Sequence, residues 1–229
     1  MVKKHLKTLT VPTTWPIKRK EKKFIIRPLS GKKFSMAMPL SLIFIDMLKY
    51  CKTAKEVKTI LRDKEIFVDG KRKKNQKDSL GVMDVLSIPL SKENYRMLIN
   101  KYGKMCLISI SDEESKEKVC KIIGKKVLKK GKTQLNLFDG RNILVKEDKY
   151  NIGDSVLIKL PIQEIKDSFK LEKGNYGYLT GGSHIGDHGS IESISKGMVT
   201  IKNKEGVFET PKEYVFVIGK TKPSIKMHD

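Results

Sequence analysis

Thr53-Ala54-Lys55-Glu56-Val57-Lys58-Thr59-Ile60-Leu61-Arg62, followed three residues on by Ile66-Phe67-Val68-Asp69-Gly70-Lys71-Arg72-Lys73-Lys74, decides how this chain is read. Thr53 and Glu56 form a capping box, in which a hydroxyl and a carboxylate each satisfy an orphan backbone donor at a helix start. Val57, Ile60 and Leu61 then make one apolar face at about 100° per residue, and Lys55, Lys58 and Arg62 fall on the opposite side. Such a helix packs with one face and offers cations with the other. An ordinary solvated face explains the same stripe, so the helix alone does not separate the two readings. Ile66-Phe67-Val68 is a strand closed by the turn dipeptide Asp69-Gly70, and the four cations Lys71, Arg72, Lys73 and Lys74 follow directly.

Upstream, Leu42, Ile43, Met47 and Leu48 predict a first helix from Leu40 to about Cys51. Downstream, Val82 to Ile88 returns as a strand, completing two helices and a small sheet over 40–90. Residues 1–39 read as a basic N-terminal arm. The first 35 of them hold eleven Lys or Arg against the single acid Glu21, with Pro12, Pro16 and Pro28 opposing any helix. Leu6, Leu9, Val11, Trp15, Ile17 and Phe24 are too apolar for a purely disordered tail, so parts of the arm should dock on the body or on a partner. Trp15 either stacks on a base or anchors the arm to a protein core.

Whole-chain charge agrees with the stripe. Forty-eight Lys and Arg against 26 Asp and Glu give a formal charge of +22, and a folded chain so charged implies a polyanionic partner. Cys51, Cys106 and Cys120 match neither a disulfide framework nor a metal-binding spacing, which fits a reduced, intracellular protein. Met1 to His5 leads into no apolar run, and Leu40 to Leu48 is interrupted by Ser41 and Asp46, so neither a secretion signal nor a membrane span is expected.

Beyond Pro89 the periodicity is that of strands. Met97 to Ile99 and Met105 to Ile108 flank a Lys101-Tyr102-Gly103-Lys104 turn, and Ser111-Asp112-Glu113-Glu114 is a second capping box. A hairpin around Asp139-Gly140 and a strand from Val156 complete a central β-rich, barrel-like domain over 91–172. Glycines crowd 174–189, then strands recur at Met198, Gly206 and Tyr214, defining an all-β module over 173–220 and a tail over 221–229. The predicted class is α+β, built of several modules.

Enzymatic readings fail on spacing. Gly131-Lys132-Thr133 resembles the end of a phosphate-binding loop, but Lys126 stands where that pattern needs glycine. The glycines of 174–189 open no helix. His184 and His188 have only Asp187 beside them, an incomplete metal set, and read instead as loop histidines contacting phosphate or solvent. No catalytic residue, metal site, cofactor or small-molecule substrate is expected.

Read together, these segments resemble, from end to end, the archaeal and eukaryotic type of small-subunit ribosomal protein number four. The resemblance lies in Lys3-Lys4-His5-Leu6-Lys7 with Pro12 and Trp15, and in Pro39-Leu40 and Leu48-Lys49-Tyr50. It continues in Glu56 to Ile60, Val68-Asp69-Gly70-Lys71 and Gly81-Val82-Met83-Asp84-Val85. Ser111 to Ile122, Thr180-Gly181-Gly182 with Gly186, Gly189 and Ile191, and Tyr214 to Lys220 complete it. The chain departs from the family at His184 and His188 and in a short tail after Lys220. The resemblance implies an alpha-L RNA-binding unit over 40–90, an SH3-like KOW barrel over 173–220, and a cytoplasmic, ribosome-bound structural protein. Its implied partners are small-subunit rRNA and neighbouring ribosomal proteins. The expected RNA contacts are Lys3, Lys4, His5, Lys7, Lys18, Arg19, Lys20, Lys22, Lys23, Arg27, Lys32 and Lys33 in the arm. Lys49, Lys55, Lys58, Arg62, Lys71, Arg72, Lys73 and Lys74 belong to the helical unit, and Gly181, Gly182, Gly186 and Gly189 to the glycine-rich loop. The alternative is a free RNA-binding regulator or RNA-modification factor using the same modules.

Overall fold

The structure, a computed structural model, describes residues 5–128, 131–145, 148–203 and 206–227. Among these the chain is mostly β, with three short helices and several antiparallel sheets. It divides into two compact units. One runs to Ile99 and resumes over Lys104–Lys116; the other holds Asn100–Gly103 and the chain from Glu117 onward.

In the first unit, β1 (Leu6–Lys7) pairs with β2 (Phe24–Ile25), and β3 (Ala37–Pro39) leads into the helical turn α1 (Leu40–Leu42). The helix expected here is helical over 40–47 and stops short of Cys51, and only its first three residues are α-helical. Leu40 through Phe44 are all buried, more than one face of a regular helix covers. The backbone passes instead into a π-helical turn over Ile43–Met47, with Leu48 N–H donating to Ile43 C=O at 2.9 Å. Lys49, at φ 57°, then turns the chain away.

Helix α2 (Ala54–Asp63) starts as the sequence predicts. Thr53 Oγ1 accepts from Glu56 N–H at 3.3 Å, and the Glu56 carboxylate accepts from Lys52 N–H at 2.8 Å. Strands β4 (Phe67–Val68) and β5 (Lys71–Arg72) are joined by the two-residue turn Asp69-Gly70, at φ 51° and 71°. Both positive values suit the turn type that matches strand twist. After β6 (Ser79–Gly81) come β7 (Val85–Ile88), β8 (Glu93–Ile99), β9 (Met105–Ile110) and the four-residue helix α3 (Asp112–Ser115), capped by Ser111. The main sheet has the order β5-β4-β7-β8-β9, and β3 pairs with β6. A break between 90 and 91 therefore lies inside one sheet, because β7 and β8 pair from Val85↔Arg96 to Ile88↔Glu93.

The Gly81-Val82-Met83-Asp84 string has a physical reason. Asp84 is fully buried, its Oδ2 accepts from Gly81 N–H at 2.6 Å, and the Lys32 ammonium closes on the same oxygen. Asp69 Oδ1 accepts from Val85 N–H at 2.9 Å, tying the basic turn to the strand that follows the string.

The arm is not extended. Its strands β1 and β2 fold it back on itself, Val11 is buried, and Trp15 is 0% exposed against Phe34, ring centroids 5.5 Å apart. Thr14 C=O accepts from Met105 N–H at 2.8 Å, joining the arm to the start of β9. Of the two roles open to Trp15, the structure selects the core anchor, as its buried apolar area favours.

In the second unit, the eleven-residue β10 (Glu117–Val127) serves two partners: Glu117–Lys121 pair with β13 (Ser155–Lys159), and Ile122–Val127 with β11 (Thr133–Leu137). With β12 (Asn142–Val145) and β14 (Glu164–Phe169), the order is β12-β11-β10-β13-β14 around Cys120, Ile122, Leu135, Leu137, Val156 and Ile158. A second sheet, β18-β17-β16-β15-β19, is formed by β15 (Tyr176–Leu179), β16 (His188–Ser195), β17 (Met198–Asn203), β18 (Gly206–Pro211) and β19 (Val215–Gly219). Tyr178, Ile191, Ile201 and Phe216 are buried in its core.

Candidate nucleic-acid interface

Helix α2 presents Lys55, Lys58 and Arg62 to solvent while Val57 and Leu61 are fully buried, so the sequence-predicted stripe is real. Beside it the turn after β5 brings Lys74 and Lys77 toward Lys58, enclosing with Asn75 and Gln76 an open cleft of about 490 Å³. Three lysines, an asparagine and a glutamine lining one open cleft suit an anion that also accepts hydrogen bonds, such as a phosphodiester. The basic sequence run pointed to Lys74; Asn75, Gln76 and Lys77 were missed, because their joining to the helix is a tertiary event.

Not every cation in this unit is offered outward. Arg62 Nε donates to Asp63 Oδ1 at 2.7 Å, which holds the guanidinium pKa up and the carboxyl pKa down. Arg72 lies 3.8 Å from Glu65 and donates to Arg62 C=O. Lys49, Lys71 and Lys74 are exposed and Lys73 is half-buried.

In the arm, Lys7, Lys20, Lys22, Lys23, Arg27 and Lys33 are exposed, and Lys23 sits 5.6 Å from the Phe24 ring centroid. His5 packs on the same ring at 5.6 Å. Lys18 donates to Glu21 at 2.7 Å, which raises its pKa. Arg19 Nη2 donates to Val11 and Pro12 carbonyls at 3.3 and 3.2 Å, bracing the arm's own fold. Lys32 is drawn inward to Asp84, which corrects its placement among displayed cations. Lys3 and Lys4 lie outside the described residues.

The glycines of the 181–189 loop answer to protein packing. A Cβ on Gly181 would lie 2.5 Å from the Tyr214 ring, and one on Gly189 2.2 Å from Lys202 C=O. Gly182 and Gly186 both have φ +87°, and a Cβ on Gly186 would meet Asn100 C=O at 2.3 Å. These residues let backbones approach within the second unit, a need that accounts for them without a nucleic-acid contact. His184 stacks on Phe208 and His188 tilts against Tyr176, so the two imidazoles have different neighbours.

Two lysines of the Ser111–Ile122 segment take a buried role that the sequence did not show. Lys118 and Lys121, both on β10, are buried. Lys118 Nζ pairs with Asp139 Oδ2 at 2.8 Å. Lys121 Nζ donates to the carbonyls of Lys212, Glu213 and Val215 at 3.2, 2.7 and 2.7 Å, and burial pushes its pKa down to about 8 against the attraction of Glu213. Their partners are distant in sequence, so no local signal marks them.

A mostly β chain with a basic helix, a basic turn and a cation-lined cleft has the features of a polyanion-binding protein. Comparison with known proteins narrows the class. The model of "Ribosomal family S4e" matches residues 91–165, and that of the "RS4NT (NUC023) domain" matches residues 2–31. The chain is 43% identical to the small ribosomal subunit protein eS4 of Methanocaldococcus jannaschii and 40% identical to that of Methanococcus vannielii, over 98% of each chain in both cases. The crystal structure of the 30S ribosomal protein S4e from Thermoplasma acidophilum is similar at a TM-score of 0.71 and 30% identity, covering 81% of this chain and 96% of that one. The chain belongs to the ribosomal S4e family.

Proposed function

We propose that this protein is a structural constituent of the small ribosomal subunit, binding small-subunit rRNA through its displayed lysines and arginines and supporting translation. It is not an enzyme: the family to which it belongs contributes structure to the ribosome. The observation that carries the binding mechanism is the cleft of Lys58, Lys74 and Lys77 beside α2, where three lysines gather next to a capped helix. Neutralising phosphates there releases condensed counterions, and the folded RNA's shape sets the register. Its working location is the ribosome, in the cytoplasm, beside other ribosomal proteins.

The module reading supports the same function. The helices with sheet β5-β4-β7-β8-β9 are read as an alpha-L-type unit, β10 to β14 as the central barrel-like domain, and β15 to β19 as the SH3-like KOW module. Five antiparallel strands around Tyr178 and Phe216 and the glycine-dependent close approaches favour the last assignment. The arm's exposed lysines extend the footprint.

Sedimentation of the tagged full chain from a lysate tests this function. Co-migration with the small subunit through a moderate-salt wash, lost on RNase treatment, is expected. A profile confined to light fractions would favour a free RNA-binding factor. A K55Q/K58Q/K74Q variant should bind a small-subunit rRNA transcript more weakly and with a shallower salt dependence, by about 0.7–0.9 in the log–log slope per lost phosphate contact.

A further inference from the structure

His184 is remote in sequence from the lysines of the α2 cleft, and phosphate neutralisation there does not explain it. The residue sits on the loop between β15 and β16, where its imidazole lies nearly parallel to the Phe208 ring of β18, centroids 4.2 Å apart at 11°. Its side chain is 45% exposed, so Phe208 covers one face of the ring and leaves the other available. Nδ1 lies 3.6 Å from Asp187 Oδ2, and Asp187 is buried. A carboxylate at the ring edge is a poor neighbour for phosphate, which argues against a phosphate contact and leaves the face of the imidazole as its functional part.

A second ring belongs to the same unit. Tyr102 is 88% exposed, the most exposed large apolar side chain among the described residues. Its backbone is held firmly: Tyr102 N–H donates to Asn100 Oδ1 at 3.0 Å, and Gly103 closes the turn by donating to Asn100 C=O at 2.9 Å. The turn is pressed on the His184 loop, since a Cβ on Gly103 would lie 3.3 Å from Ile185 Cγ2 and Gly186 admits the Asn100 carbonyl. Tyr102 and His184 thus each immediately precede a residue of one close approach, that of the Gly103 backbone to the Ile185 side chain. Two flat side chains on fixed backbones, one backed by a third ring, are what unpaired bases stack upon. A protein partner also uses exposed tyrosine, but the exposed Lys101 and a net charge of +22 favour RNA.

We propose that Tyr102 and His184, the latter backed by Phe208, form a stacking platform for unpaired rRNA bases, a base-contacting site separate from the phosphate-binding lysines of α2. The proposal rests on the rRNA-binding function and specifies which nucleotides this part of the protein holds.

The test uses the full chain with two probes: a small-subunit rRNA transcript and a single-stranded oligoadenylate carrying 2-aminopurine, whose fluorescence is quenched by stacking. Y102A and H184A should each weaken transcript binding by roughly five- to a hundredfold, as stacking losses do, with the salt slope unchanged because no counterion is released. The same variants should lose the 2-aminopurine quench, while H184F keeps it. Alanine variants that bind both probes like the parent would overturn the platform, and so would a loss accompanied by a shallower salt slope, which marks a phosphate contact. Parent protein that fails to bind the transcript at all would instead count against the rRNA-binding function.

Discussion

Lys118 and Asp139 form a buried ion pair, Nζ to Oδ2 at 2.8 Å, with side chains 1% and 4% exposed, and Arg141 Nε lies 3.1 Å from the same oxygen. One carboxylate thus compensates two cations. Removing one partner of a buried pair strands the remaining charge, at a cost of about 3–5 kcal/mol. The two deletions should differ: D139A removes the carboxylate oxygen that both cations approach, whereas K118A leaves Asp139 with Arg141. D139A is therefore expected to lose about 3–5 kcal/mol in urea unfolding of the second unit and K118A distinctly less. Equal losses would show that Arg141 does not share the carboxylate.

Lys121 gives a pH dependence with a definite sign. Burial lowers its pKa from the ordinary 10.5 to about 8 in the folded protein. Between these values the unfolded chain holds a proton that the folded chain does not, so stability rises with pH across that window. The contribution is fully present above the unfolded value and is lost as pH falls through about 8. Its full span is about 3 kcal/mol. Urea midpoints taken between pH 7 and 10 should rise more steeply in the parent than in K121M; parallel curves would mean that Lys121 titrates like a solvated lysine.

Much of this architecture is written locally. The Thr53–Glu56 cap, the Asp69-Gly70 turn, the Ser111 cap and the hairpin around Asp139-Gly140 all form where short-range chemistry places them, because each depends on backbone groups within a few residues. What local pattern misses is competition. Leu40 to Phe44 reads as a helix, yet burying five residues in succession bends it into a π turn. Charge dominates the arm's composition, yet its apolar Val11 and Trp15 are buried. Of the candidate site, the α2 stripe was legible because it follows one helical period. The inward turn of Lys32 to Asp84, like the loop glycines' packing against Tyr214 and Lys202, depends on residues distant in sequence and leaves no periodic trace.

Trp15 is the only tryptophan in the chain, so its fluorescence reports on the arm alone. Fully buried beside Phe34, it should emit at short wavelength and resist quenching by iodide in the free protein. W15A is expected to cost about 3–5 kcal/mol, the usual penalty for emptying a large aromatic site. W15F, which keeps a ring against Phe34, should cost less. Red-shifted, readily quenched emission without RNA would show that the arm docks only on the ribosome.

Deleting residues 1–35 is a poor test of the arm's charge, because it also removes Trp15 from the core and Lys32 from Asp84. K20Q/K22Q/K23Q separates the two effects, since all three side chains are exposed on the described arm. Urea unfolding of this variant should match the parent within about 0.5 kcal/mol, as surface substitutions do. Its affinity for a small-subunit rRNA transcript should fall, and the log–log salt slope should drop by up to about 2–3 if all three lysines sit on phosphates. Truncation, by contrast, should lower both stability and affinity. A triple variant whose slope equals the parent's would remove the arm's lysines from the RNA footprint and leave the arm as a structural clasp held by Trp15.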